Sequence, residues 1–487
     1  GPFQRAMDEP AQASVRLVGG VALLGLQVGV SAKRRDLLRC FRPGRLWLVT
    51  LPSAVVGTLC FIPLYFLVLG WLGVRAAQIA TPLFAVSHTA IHFSRIGLWN
   101  IQSLFLAIVG FAFLAAAIRS GSSKLSTFAG IAAGLGFYTY TGGRLAIIAV
   151  AAFLASQLVM GSRKRLLVLG TFVSASFLVA LSPLILSYMK SPDVLESDRT
   201  SSVLVLADEV RPHAETTTGR SDLAGILRVQ TLRTLDGFWD RHDESGQFGI
   251  RMALVSKMTA VLALAGLLIA LVRIREPTNR LILLWAGLGL LLGSVLIIDP
   301  PSHTRLIVIF PVPFIFAALA MDTVSRWLER LKVQWARIAV FAVCVLVVGQ
   351  AAVFNLGGYR QYLNRIDEEG KIWDVVKVVK EYGKGSTYFF FGGPTMSAKA
   401  PGLRLLAEGR KVIESFTATD IPHYLPRTTI FIIPALLPHL EPQMRNIGTV
   451  ITERFPNSKR VVTGEVDDPQ LIIYIVDVGV QRRPSGG

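Results

Sequence analysis

Four short stretches hold most of the side chains able to do chemistry: His92-Phe-Ser-Arg95, Tyr138-Thr-Tyr140 with Arg144, Trp239-Asp-Arg241-His242-Asp-Glu244, and Pro301-Ser-His303-Thr-Arg305. Each adjoins an apolar run, where an ionisable group is costly unless it faces protein or a water-filled cavity. Arginine recurs in all four. At Arg95, Arg144 and Arg305 the planar guanidinium fork suits a phosphate oxyanion, which it can hold by two charge-assisted bonds. The competing explanation is arginine reaching toward lipid headgroups. His88 and His92 are four apart and share one helical face. Two histidines without a carboxylate partner make a weak metal signal, so His88 reads as a solvated imidazole at a helix end. Tyr138 and Tyr140 are either interfacial anchors or the lining of a substrate site. The cluster from Trp239 to Glu244 suits sugar hydroxyls or phosphate, or is a solvated loop.

The elements that position these groups are apolar. The chain has 487 residues, 52% of them hydrophobic and 17% charged, and a mean hydropathy of +0.52, which excludes a soluble globule and points to a polytopic membrane protein. Measured against roughly 20 residues per crossing, the apolar stretches number about eleven: 15–31, 46–72, 76–92, 99–118, 126–141, 143–160, 166–188, 252–272, 281–298, 304–321 and 337–355. The net charge of +18 would suggest nucleic acid in a soluble protein. Here the basic residues crowd short loops at 119–124, 163–165, 273–280 and 326–337, as cytoplasmic loops do, and no nucleic-acid partner is expected. With those loops inside, the four chemically mixed loops, the long loop 191–251 and everything after about 355 fall outside. The three cysteines, Cys40, Cys60 and Cys344, lie in or beside apolar stretches and suggest neither a disulfide framework nor a Cys-based zinc site.

Three regions follow. Residues 1–45 form an atypical N-terminal segment, whose basic run from Lys33 to Arg45 falls where the count expects the outside. The chain starts Gly1-Pro2, which admits a tag scar, a fragment or a missing first span. Residues 46–355 form the transmembrane region. Residues 356–487 turn soluble: an amphipathic stretch through Ile366, Ile372, Val375, Val376 and Val379 predicts a helix, and the runs 387–391, 429–433 and 471–475 predict buried strands, together a small extracytoplasmic α/β domain. The piece Phe391-Gly-Gly-Pro394 lacks a full phosphate-loop pattern and reads as a turn.

In order and spacing, Leu51-Pro-Ser-Ala-Val-Val-Gly57, His92-Phe-Ser-Arg-Ile-Gly97, Gly136-Phe-Tyr-Thr-Tyr140 to Arg144, Arg241-His242, and Pro301-Ser-His-Thr-Arg305 with Phe310-Pro311 resemble the membrane glycosyltransferases of the C superfamily, family 39 type. That family includes the dolichyl-phosphate-mannose protein mannosyltransferases and the lipid A aminoarabinose transferase. The resemblance implies an integral protein of the cytoplasmic membrane that takes a sugar from a polyprenyl-phosphate carrier on the outer side. It passes the sugar with inversion to a lipid, protein or polysaccharide acceptor. Arg95, Arg144, Arg241, His242, His303 and Arg305 would then contact the donor phosphate, and His92, Tyr138 and Tyr140 would line the substrate. Such a transfer needs a carboxylate to take the acceptor proton. By position in the first outer loop, the resemblance assigns this role to Asp8 and Glu9. A divalent metal is left open and no other cofactor is implied.

Two other readings compete. A transporter or lipid flippase with an outer domain would show internal repeats and broken midplane helices, and the sequence has no pair of matching halves. A catalytically inactive relative acting as a binding subunit is the third reading, motivated by the N-terminal segment.

Overall fold

The computed structural model describes residues 47–160, 163–190, 203–208, 210–243, 250–330, 335–368, 385–391, 411–415, 417–425, 427–434, 446–464 and 469–477. They fall into two compact units, a helical one up to Arg360 and a second from Gln361 onward. The expectations for residues 1–45, including Asp8 and Glu9, and for the stretch 15–31 lie outside the described residues.

The helical unit starts with α1 (Trp47–Leu59), α2 (Phe61–Leu72), α3 (Val74–Ala85) and α4 (His88–Arg95). Next come α5 (Asn100–Ser120), α6 (Ser123–Gly136), α7 (Arg144–Met160) and α8 (Arg163–Lys190). Two shorter helices, α9 (Arg211–Thr218) and α10 (Leu223–Asp236), precede α11 (Lys257–Val272) and α12 (Pro277–Leu290). The unit ends with α13 (His303–Leu306), α14 (Val312–Arg330) and α15 (Ala336–Glu368), the last of which runs on past Arg360. Local chemistry sets several boundaries. Gly73 takes φ 96° between α2 and α3, and Gly121 takes φ 72° while its N–H closes α5 on Ala117 O at 2.7 Å, positions that favour residues without a Cβ.

Among the described residues five helices are long and apolar enough to cross a membrane: Thr50–Leu72, Asn100–Ser120, Leu167–Lys190, Pro277–Val295 and Ile338–Leu363. A sixth is added if His303–Ile309 and Val312–Arg330, bent by 44°, form one span. Of the about eleven apolar stretches expected from the sequence, several of them short, these are the ones long enough to cross as single helices. The stretch 76–92 divides at Ser87 into α3 and α4, of 12 and 8 residues. The stretches 126–141 and 252–272 become α6 of 14 residues and α11 of 16, below the ~20 that a perpendicular crossing takes. Apolar composition alone does not register these breaks, because the residues that make them carry the polar groups of the site.

Small residues let the helices approach closely. A Cβ on Gly266 of α11 would overlap the backbone of Phe316 in α14, and one on Gly130 of α6 would overlap Val173 of α8. Many large side chains left exposed along the helices are apolar, as on Val261, Phe341 and Val353, a surface suited to lipid rather than water.

The second unit holds a five-stranded sheet of order β2-β1-β3-β5-β4, built from β1 (Thr387–Phe391), β2 (Lys411–Ser415), β3 (Thr429–Pro434), β4 (Lys459–Gly464) and β5 (Pro469–Val476). β1 is parallel to β2 and β3, whereas β5 is antiparallel to β3 and β4. On one face Phe389, Phe391 and Phe431 stack and pack with Ile447 and Ile451 of α16 (Ile447–Arg454). The other face buries Tyr388, Phe390, Ile430, Ile432 and Ile473. The three central strands coincide with the apolar runs of the sequence. The edge strands β2 and β4 carry charge, Lys411 and Glu414 in one and Lys459 and Arg460 in the other, so they lack that signature.

Candidate functional site

The polar stretches separated in sequence meet at one end of the helical unit. At their centre is the turn Asp299-Pro-Pro-Ser302 leading into α13. Asp299 holds a left-handed φ of 55°, a conformation costly for a residue with a Cβ and concentrated at functional turns. Behind α13 the last turn of α12 widens into a π-helix at Leu291–Val295, a device frequent at functional sites. A Cβ on Gly293 in that turn would lie 3.2 Å from Arg305 O, so glycine permits the close approach of the two backbones.

The backbone N–H of His303 donates to Asp243 Oδ2 at 2.6 Å. Asn100 Nδ2 donates to Thr304 O at 3.2 Å. Arg305 is 7% exposed, and its Nη1 donates to Ile298 O at 2.6 Å. Tyr140, Asp299 and Asp243 all lie within electrostatic range of this guanidinium. Burial pushes the Tyr140 phenol above its usual range, with Arg305 acting against the shift and Asp243 adding to it. The phenol is therefore a hydrogen-bond donor at neutral pH. Thr234 Oγ1 and Ser294 Oγ, 2.8 Å apart, tie α10 to the π-turn. His213 of α9 meets Asp299 at 2.9 Å.

Histidines form the second half of the site. His303 is buried, its ring centre 6.2 Å from that of His88 and 6.3 Å from that of Phe310. Neither ring nitrogen of His303 has a hydrogen-bond partner among the described residues. His88 is fully buried, and its Nδ1 meets Asn355 Oδ1 at 2.5 Å. This corrects its reading as a solvated imidazole: the break at Ser87 turns α4 inward, and Asn355 of α15 supplies the polar partner that burial demands. The buried His92 ring sits 6.0 Å from Tyr359, over which the exposed Arg95 places its guanidinium at 5.7 Å.

The remaining sequence candidates are spread more widely. The guanidinium of Arg144 lies 5.9 Å from the Phe137 ring. His242 is exposed and within electrostatic range of His303, and Arg241 is half-buried beside it. The hydroxyl of Tyr138 is committed to α8, donating to Ala180 O at 3.0 Å and accepting from Leu184 N at 3.2 Å. Sequence reasoning passed over three participants. Asp243 was visible only as one member of a charged run. Asn355 and Tyr359, four apart within an apolar helix, carried the signal of polar groups inside a span. Among the described residues no group of three or more His, Cys, Asp or Glu is arranged to hold a metal ion.

The arrangement is a buried arginine and a protonated phenol beside imidazoles and two carboxylates, Asp243 and Asp299. Such a set can hold a phosphate-bearing ligand by charge-assisted bonds where charge develops on its leaving oxygen.

Comparison with known proteins places this geometry. Residues 39–186 match the family model of dolichyl-phosphate-mannose-protein mannosyltransferases. No curated protein matches the chain in sequence. Among solved structures, apo ArnT from Cupriavidus metallidurans is similar with a TM-score of 0.52 at 12% identity, covering 90% of this chain and 85% of that one. The same protein bound to undecaprenyl phosphate gives a TM-score of 0.51 at 13% identity, with coverage of 88% and 84%. The oligosaccharyltransferase AglB from Archaeoglobus fulgidus, in complex with an inhibitory peptide and a dolichol-phosphate, gives 0.48 at 13% identity. The match covers 80% of this chain, which spans 58% of that longer one. The chain resembles the membrane glycosyltransferases of the C superfamily, family 39 type, and has their fold.

Proposed function

We propose that the chain is an inverting glycosyltransferase that takes a sugar from a polyprenyl-phosphate donor, on the outer side of the cytoplasmic membrane, and passes it to a nucleophilic acceptor. The observation that carries this reading is Arg305, a guanidinium 7% exposed and flanked by Tyr140 and Asp243 at the end of a bundle of apolar helices. A lipid phosphate suits that place, because its chain lies along the apolar helices while its head meets the cation. The match over residues 39–186 and the ArnT likeness support the same class.

In the reaction the bond between the anomeric carbon and the phosphate oxygen breaks as the acceptor oxygen bonds to the opposite face of that carbon. The acceptor proton passes to a carboxylate, and polyprenyl phosphate leaves with the electron pair. Arg305 and Tyr140 stabilise the charge growing on the phosphate, with Arg144 and Arg95 as further cations at the rim. Asp243 holds α13 in place through the His303 N–H. Asp8 and Glu9 are the carboxylates proposed to take the proton. The basic loops 163–165 and 273–280 support placing the site on the outer side.

The test incubates the purified full chain with polyprenyl-phosphate-linked sugars of defined anomeric configuration and a hydroxyl acceptor. The expected product carries the opposite configuration. Retained configuration, or no transfer from any lipid-phosphate donor, overturns the reading.

A further inference from the structure

The helix α10 is amphipathic in the opposite sense to a helix lying in water. Its covered side carries Gln230 and Thr234, each 1% exposed. Its open side carries Leu232, Leu235 and, just beyond the helix, Trp239, at 58%, 42% and 44% exposed. Leu232 and Leu235, three apart, share a face of the helix, and Trp239 follows in the turn just after it. Leaving such a stripe in water is unfavourable by the apolar area exposed, so its orientation calls for an apolar neighbour.

The backbone says which neighbour. Leu254 N donates to Gly237 O at 2.9 Å and Val255 N to Phe238 O at 3.1 Å, which fixes the end of α10 at the head of α11. Lys257 at the start of α11 lies 3.8 Å from Asp240. From there Met258, Val261, Leu264 and Leu268 run down α11 as an exposed apolar stripe, the side of the helix turned to lipid. The exposed Leu235 and Trp239 thus lie at the head of this stripe, the level at which tryptophan anchors proteins in the headgroup layer. The other end of α10 borders a groove of about 550 Å³ lined by Arg220, Arg228, Val229 and Leu232. The acidic residue there, Asp222, is engaged as the helix N-cap and accepts from Gly225 N at 2.7 Å. Basic side chains beside an apolar stripe complement an anionic lipid surface.

We propose that α10 lies in the headgroup layer of the leaflet next to the site, with Leu232, Leu235 and Trp239 entering the acyl boundary and Arg220 and Arg228 meeting anionic lipid phosphates. The inference goes beyond the transferase reading and stands without it.

The test places the full chain in lipid nanodiscs with a nitroxide at Leu232→Cys, or at Thr216→Cys on α9 as the water-exposed control, after Cys40, Cys60 and Cys344 are changed to Ala. Relaxation by dissolved oxygen is compared with that by a water-soluble nickel chelate. The oxygen-to-nickel ratio is expected to be several-fold higher at Leu232 than at Thr216. It should rise further when phosphatidylglycerol replaces phosphatidylcholine at low salt, and Arg228→Gln should remove that rise. Equal nickel access at both positions overturns the proposal. So does shielding from both reagents, which would mean that protein covers the stripe. In the chain with native cysteines, brominated lipids should quench a share of the fluorescence that Trp239→Phe abolishes; an unchanged quenched share contradicts the docking.

Discussion

Tyr138 and Tyr140 are two residues apart and similar in sequence context, yet the structure gives them separable consequences. The Tyr138 hydroxyl bridges Ala180 O and Leu184 N, the two groups that would bond each other in an uninterrupted helix, beside Pro183 in α8. Tyr138→Phe removes both bonds. At about 0.5–1.5 kcal/mol net for each, the loss is about 1–3 kcal/mol, toward the lower end at roughly 1.2 kcal/mol if each bond has the ~0.6 kcal/mol average found in membrane proteins. The expected result is a lower thermal unfolding midpoint in detergent with undecaprenyl phosphate binding retained. Tyr140→Phe removes a phenol near Arg305 and should leave stability nearly unchanged. A hydrogen bond to a charged group is worth about 1.5–3 kcal/mol, so its affinity for undecaprenyl phosphate should fall roughly 10- to 150-fold. Stability comes from the unfolding midpoint and affinity from titration of nanodisc-embedded protein. If Tyr138→Phe loses binding at full stability while Tyr140→Phe binds normally, the assignment of the two tyrosines is refuted.

Asp243→Ala should leave the His303 N–H buried without its acceptor, a cost of about 1–3 kcal/mol in stability. Asp243→Asn, which keeps an oxygen at that place, should recover part of it, as the unfolding midpoints will show. Gly266→Leu should destabilise by about 1–3 kcal/mol through overpacking against the Phe316 backbone, whereas Gly349→Leu, where a Cβ meets nothing within 4 Å, should change the midpoint little. Arg144→Ala is expected to slow sugar transfer roughly 10²-fold or more; a wild-type rate would remove Arg144 from the phosphate-binding set.

The parts of the fold that were legible in the sequence are those where one physical signal dominates. The long apolar helices and the three central strands announce themselves by uninterrupted burial. His92, Tyr140, His303 and Arg305 also stand out in the sequence, as polar groups beside apolar runs. The length of each crossing was not legible. The break at Ser87 and the turn from Phe137 to Gly143 depend on polar partners supplied from far along the chain, as when Asn355 receives His88. Asp243 was hidden for the same reason. Its role is to accept from a backbone N–H sixty residues away, and no local spacing reports that. Tyr138 illustrates the converse, a polar residue at a span end whose partner is the backbone of a neighbouring helix.

The central claim is that a lipid phosphate is recognised at Arg305 and released there during sugar transfer. The most direct measurement is the rate at which the purified full chain releases polyprenyl phosphate from a sugar-linked donor, compared with Arg305→Ala of equal folded content. Loss of this buried cation should lower the rate roughly 10²- to 10³-fold. Equal rates for the two proteins, or a wild-type chain that consumes no lipid-phosphate donor, would contradict the account.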